Sequence, residues 1–259
     1  MLLFLSGLPL WAAILLLVVL PTIIAMCGTI VVRRSAGLEH LTSNNEIAGF
    51  KFAAVGVIYA VLVAFAMIVV WEKFSEAQAA VVKEAGASET LHLLAAGSDP
   101  KMMATEAALS HYLNLAVERD WPRMAQGKES DEVTEALDAV YVAALRLTEG
   151  ETRQPALLIE IFKQLDSITE ARRTRLHLAT GIVPSVIWMV LFCGAILTVA
   201  FTFFFGTQNI RAQVLMTGIL SVLTFTALFA IVEIDHPFTG PSFVHSEPIR
   251  AVLAGFSRG

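Results

Sequence analysis

The chain has 259 residues, 56% of them hydrophobic, and its 18 Lys and Arg against 23 Asp and Glu leave a formal charge of −5. A mean hydropathy of +0.68 points to a membrane, and the acidic balance provides no basic face for phosphate, which excludes a nucleic-acid partner. Two cysteines, Cys27 and Cys193, both inside apolar runs, exclude a disulfide framework and a zinc site.

Crossing a hydrocarbon core of about 30 Å takes about 20 apolar residues in a helix rising 1.5 Å each. Residues 8–32 form the first such run, free of charge throughout. No Lys or Arg precedes it and it exceeds the length of a signal-peptide core, so it reads as a retained span, kinked at Pro21. The second span covers 47–71, with Lys51 placed to snorkel toward the interface. Gly49, Ala53, Gly56 and Ala60 give it a stripe of small residues along which another helix can approach closely. Residues 182–205 and 212–232 supply spans three and four. Thr198 with Thr202, and Thr217 with Ser221 and Thr224, give these two spans hydroxyl stripes suited to interhelical hydrogen bonds. No buried Asp, Glu or Arg lies within a span, which argues against a proton-coupled pump.

Residues 72–177 are charged and patterned at helical period. Phe74, Ala77, Val81, Ala85, Ser88 and Leu91 continue the second span as one stripe, so the helix is predicted to run unbroken to the cluster Gly97-Ser98-Asp99-Pro100. Asp99 and Pro100 read as cap and first residue of a second helix with Leu109, Leu113, Ala116 and Val117 inward, closed by Trp121-Pro122. A turn at Gly127-Lys128 leads to a third helix, capped by Ser130 with Asp131 and Glu132 in its first turn. Val133, Leu137, Val140, Ala144 and Leu147 form its apolar stripe. Thr152 caps a fourth, with Pro155 in its first turn and Leu158, Ile161, Phe162, Leu165 and Ile168 inward. That helix is predicted to continue toward span three, with no glycine before Gly181. No stretch alternates with period two. The expected fold is therefore an all-α polytopic membrane protein with four transmembrane helices and a helical extramembrane bundle between spans two and three. The expected division is 1–71, 72–177, 178–232 and a tail at 233–259.

No nucleophile–base pair, P-loop, HExxH or CxxC pattern is present, so catalytic residues and cofactors are assigned as none and the chain reads as no enzyme. Glu233, Asp235 and His236, just after span four, are the weak candidates for a metal; helix-end polarity at the interface accounts for them equally, and no metal site is assigned. Arg172, Arg173, Arg175 and His177 read as a basic cluster reaching lipid headgroups, with an anion-attracting funnel as the sharper alternative. His92 and His111 read as facing solvent or a partner helix.

Two motifs carry a family resemblance. Asn44-Asn45-Glu46-Ile47-Ala48-Gly49-Phe50 leads into span two, and Asp235-His236-Pro237-Phe238-Thr239-Gly240 follows span four. With the two-plus-two order of spans, the chain resembles the bacterial bestrophin-like domain family. The resemblance implies the layout of bestrophins, which are pentameric anion channels with four spans per subunit and helices reaching into the cytosol. It also implies a multi-pass location in the plasma membrane (the bacterial inner membrane). The chain lacks the bestrophin pore-neck phenylalanine pattern and the dense acidic calcium clasp, so no pore or calcium residue is carried over. Asn45, Gly49, Asp235, Pro237 and Gly240 are carried as motif positions without a role. The leading expectation is an oligomeric membrane protein passing inorganic ions, anions first, between subunits of a homo-oligomer in the lipid bilayer. The alternative is a non-conducting scaffold or sensor whose helical domain binds a partner.

Overall fold

The computed structural model describes residues 7–43, 45–95, 100–148, 155–181 and 183–256, and every regular element among them is helical. The expected caps Asp99 and Thr152, the breakers at Gly97, Ser98 and Gly150, the motif residue Asn44 and the start of span three at Ile182 lie outside the described residues. Four helices are long and apolar enough to cross a membrane: α1 (Leu10–Ala36), α3 (Asn45–Ala95), the helix Ser185–Phe204 and the helix Ile210–Asp235. A short α2 (Leu38–Ser43) joins the first two. Between spans two and three come α4 (Pro100–Leu115), α5 (Trp121–Met124), α6 (Asp131–Leu145) and α7 (Pro155–Ala179). The third and fourth spans are α8 (Ser185–Phe201, closed by a 3-10 turn) and α9 (Ile210–Asp235), and α10 (Glu247–Phe256) is the last element among the described residues.

The chain divides into two compact units, residues 1–72 with 182–235, and 73–181 with 236–259. In the first, α1 packs along α9 and α8 completes the bundle. Its core gathers Val18, Tyr59, Trp188, Leu191, Phe225 and Leu228. Span two enters that core through Tyr59, whose hydroxyl donates to the Leu191 carbonyl at 3.2 Å. Gly194 makes this possible, because a Cβ there would lie 2.6 Å from the Tyr59 ring. The hydroxyl stripes meet once, Thr202 against Thr217 at 3.3 Å. The small-residue stripe behaves differently: Ala53 and Ala60 are exposed and nothing lies within 4 Å of a Cβ built on Gly56.

The second unit is built on the extramembrane half of α3, with α4 packed against α6. Ala77, Val81, Ala85, Ser88 and Leu91 are buried, as are Leu109 and Leu113 on α4, Ala116 just after it, the whole expected stripe of the third extramembrane helix, and Ile161, Leu165 and Ile168 on α7. At about 1.5 Å per residue the 51-residue α3 is about 77 Å long, so more than half of it extends beyond a hydrocarbon core of about 30 Å. Within the stretch expected as a tail, α10 packs on α4, and its Phe256 stacks on half-buried His92 with ring centroids 4.1 Å apart. His111 is exposed.

Three local expectations are corrected. Trp121-Pro122 does not close the second helix; a π-helical turn at Ala116–Asp120 carries the chain through into α5. The same device precedes the proline of span one, where Leu15–Val19 is π-helical and Pro21 follows two residues later. Proline lacks an N–H and its ring collides with the carbonyl four residues back, and a wider turn at that position relieves both. The fourth extramembrane helix does not run into span three. It ends at Ala179, Gly181 adopts φ +93°, and α8 begins afresh after Pro184. Ser130 does occupy the cap position of α6 with extended backbone, but its side chain makes no capping bond.

Candidate functional site

The motif residues that sequence alone left without roles sit at backbone connections. Asn45, at the first residue of α3, clasps Gly206 in the link between spans three and four. Its Nδ2 donates to the Gly206 carbonyl at 2.7 Å, and the Gly206 N–H donates back to Oδ1 at 3.0 Å. Gly206 tolerates no side chain, since a Cβ would meet the Leu41 Cβ at 2.7 Å and the Thr42 nitrogen at 2.9 Å. Arg33 reinforces this end of the bundle by donating to the Gln208 carbonyl and to the buried Gln213 Oε1, both at 3.0 Å. Gln213 in turn donates to the Phe205 carbonyl. Gly49 faces Phe205 at ordinary contact distance. Lys51, in the same turns of α3, is exposed.

A second clasp closes the opposite end of the same helix pair. Asp235, 1% exposed at the last turn of α9, accepts the Val183 N–H at 2.8 Å just ahead of α8. Near it Glu233 is also buried, and its two carboxylate oxygens accept no hydrogen bond among the described residues. Glu233, Asp235 and His236 form no metal-holding group; none of three or more His, Cys, Asp or Glu exists among the described residues.

The motif continues in the second unit as a fixed turn. The Pro237 carbonyl accepts from Val244 N–H at 2.7 Å, Thr239 N–H donates to the His236 carbonyl at 3.0 Å, and Gly240 supplies φ +80°. Phe238 packs edge-on against Trp121, whose Nε1 donates to the Val244 carbonyl at 3.0 Å. His236 lies against Gly181, where any Cβ would be 2.8 Å from its Nε2.

The most strongly built polar site was not legible as such. Arg172 and Arg175 do not reach lipid headgroups; they are 5% and 0% exposed inside the second unit, and only Arg173 and His177 of that cluster are exposed. Arg175 binds Glu84 through Nε at 2.9 Å and Nη2 at 3.1 Å, and Asp120 at 3.3 Å. Arg172 binds Asp120 at 2.9 and 3.3 Å, and donates to the Ser130 carbonyl and the Thr134 hydroxyl. Tyr112 donates to Glu84 at 2.6 Å, and the Arg175 guanidinium lies 4.6 Å over the Trp121 ring. Two carboxylates meet two guanidinia, so the cluster is neutral, with each charge paired and hydrogen-bonded. Burial alone would lower the pKa of Arg175, but Glu84 and Asp120 outweigh it and hold the group above the usual arginine value. Burial first, then the Glu84 charge, pushes the Tyr112 phenol well above the ordinary tyrosine value. The available sequence signal was Glu84, a carboxylate standing inside an apolar stripe and therefore requiring a buried cation.

In the first unit, clasps hold both ends of the third and fourth spans; in the second, a charge lattice ties α3 and α7 to the π turn before α5. The family model of the Bestrophin-like domain matches residues 19–249. Among solved structures, a bacterial bestrophin homologue from Klebsiella pneumoniae carrying an isoleucine-to-threonine substitution has a TM-score of 0.71 at 17% identity, over 93% of this chain and 97% of that one. The form of that homologue solved by zinc phasing has a TM-score of 0.70 at 16% identity, over 93% and 96%. A further membrane-protein crystal structure has a TM-score of 0.69 at 16% identity, again over 93% and 96%. No curated protein matches the chain by sequence. The family match over most of the length, on an all-helical fold with four membrane-length helices, shows that the chain belongs to the bestrophin-like domain family.

Proposed function

We propose that the protein is one subunit of a homo-oligomeric ion channel, without enzymatic activity, in a bacterial inner membrane. The observation that carries this reading is the outward face of α3. Only 11% of its apolar window is buried within the chain, against 22%, 28% and 39% for the other three spans. Phe50, Ala53, Val57, Val61, Ala64 and Ile68 are exposed along one stripe at steps of three, four and seven. The same register continues outside the membrane through Glu72, Ser75, Ala79, Val82, Gly86 and Glu89, all exposed. A continuous uncovered face on the longest helix fits a surface shared by several copies around an axis. Four thin spans in one chain do not themselves enclose a pore.

A second reading concerns which ion passes. The resemblance to bestrophins implies anions, whereas the charged residues of the stripe, Glu72 and Glu89, are both acidic and attract cations. Liposomes holding purified protein, assayed for chloride, potassium and sodium flux and for reversal potential, separate the two. Absence of flux above empty vesicles for all three ions, at varied voltage and calcium, would sink the channel reading and leave the scaffold or sensor. Sidedness is best read at Lys128, which is exposed, whereas Ser130 beside it is buried. Labelling of Lys128→Cys by an impermeant reagent from outside the inner membrane would rule out a cytoplasmic helical unit.

A further inference from the structure

Along the contact of α1 with α9 runs an apolar furrow that no other helix among the described residues lines. Two open grooves of about 590 and 440 Å³ share Met26 and Leu215 and so adjoin, with Arg211 at one end and Thr226 at the other. Gly218 lets the helices approach at its middle, where a Cβ would lie 3.1 Å from Met26 Sδ. Leu215, Ile219 and Leu223, all about 60% exposed or more, form its outer wall. The sixteen helical residues from Arg211 to Thr226, fifteen rises of about 1.5 Å, make it about 22 Å long, against a leaflet depth of about 15 Å, half of a hydrocarbon core of about 30 Å.

The end of the furrow is cationic. Arg211 lines it directly, and Arg34 follows one turn after Ile30 on the α1 wall. Both are exposed and neither has an ion-pair partner among the described residues, in contrast to Arg33, whose guanidinium is occupied by Gln213 and Gln208. A chain-length apolar slot ending at unpaired guanidinia matches an amphiphile with a long hydrocarbon tail and a negative head. We propose that this furrow binds a phospholipid, one acyl chain lying against Met26 and Leu215 and an anionic headgroup held by Arg211 with Arg34.

The test is native mass spectrometry of the full-length protein in mild detergent, with phosphatidylglycerol or phosphatidylcholine added. Phosphatidylglycerol is expected to be retained preferentially. Arg211→Gln and Arg34→Gln should each lower its retention about fivefold, the effect of about 1 kcal/mol per basic residue at an anionic headgroup. Arg211→Lys should keep most of it, because the charge remains. Leu223→Trp, an exposed position that fills the slot, should reduce retention of both lipids and does not depend on the arginine variants folding. Equal retention of the two lipids, or no effect of Leu223→Trp, would overturn the proposal. So would an intersubunit disulfide at Ile219→Cys in a Cys27→Ser, Cys193→Ser background, since it would show a second copy seated in the furrow.

Discussion

Arg172 and Arg175 are buried while Arg173 between them is exposed, and helical geometry is the reason: positions three apart share a face, and the next residue is turned about 100° away. A basic run beside a membrane span therefore splits into buried and exposed members once the helix has a partner. Removing one member of a buried pair leaves an uncompensated charge. Arg175→Met should lower stability by about 3–5 kcal/mol in thermal unfolding of the solubilised protein, whereas Arg173→Met should leave it unchanged. Tyr112 adds a pH signature. Its pKa is raised in the folded state, so its contribution is fully present below the unfolded tyrosine value of about 10 and is lost as pH rises beyond it. Melting temperature followed from pH 8 to 11 should fall above pH 10, and the fall should shrink in Tyr112→Phe, although that variant starts lower because Glu84 loses a donor.

At the level of elements, polar side chains at helix ends hold the connections. Asn45 holds the link between the third and fourth spans by a two-way amide bond, and Asp235 caps the backbone before α8. Each hydrogen bond contributes about 0.5–1.5 kcal/mol, so Asn45→Ala should cost about 1–3 kcal/mol, read as a lower unfolding temperature. Gly206→Ala should be at least as damaging, because its Cβ would meet Leu41 and the Thr42 backbone, neither of which is a flexible side-chain end. A Gly206→Ala protein with unaltered stability would show that the clasp is not closed. The two π turns belong to this scale too. Apolar periodicity runs smoothly through Pro21 and Pro122, and the turn that absorbs each proline leaves no trace in hydrophobic spacing, so the second one was read as a helix end.

For the whole molecule, the decisive property is the uncovered face of α3. Ala60→Trp places a large ring at an exposed position beside that stripe. The variant should fold as a subunit and still reach the membrane. On the channel reading proposed above, the oligomer that light scattering measures in detergent should dissociate or change number, and flux should fall with it. An intact oligomer with unchanged flux would exclude this face as the shared surface.

Much of this was written in local pattern. Four apolar runs of spanning length dictate a polytopic helical protein because lipid cannot hydrogen-bond an open backbone. The stripe from Phe74 to Leu91 dictates that span two leaves the bilayer as the same helix, since nothing in it interrupts the period. Helical register also decided which residues of α4, α6 and α7 turn inward. What local pattern does not contain is the partner of each polar group. That Glu84 and Asp120 would meet Arg175, 91 and 55 residues away along the chain, or Asn45 meet Gly206 across 161, depends on which helices pack together. The break at Gly181 likewise follows from its positive φ and the His236 ring against it, both of which exist only once the chain has folded. The sequence by itself determined the helices and their inward faces, because period and length are local. Only the tertiary structure decided the charge lattice, the clasps and the open face of α3, because burial and pairing belong to distant segments brought into contact.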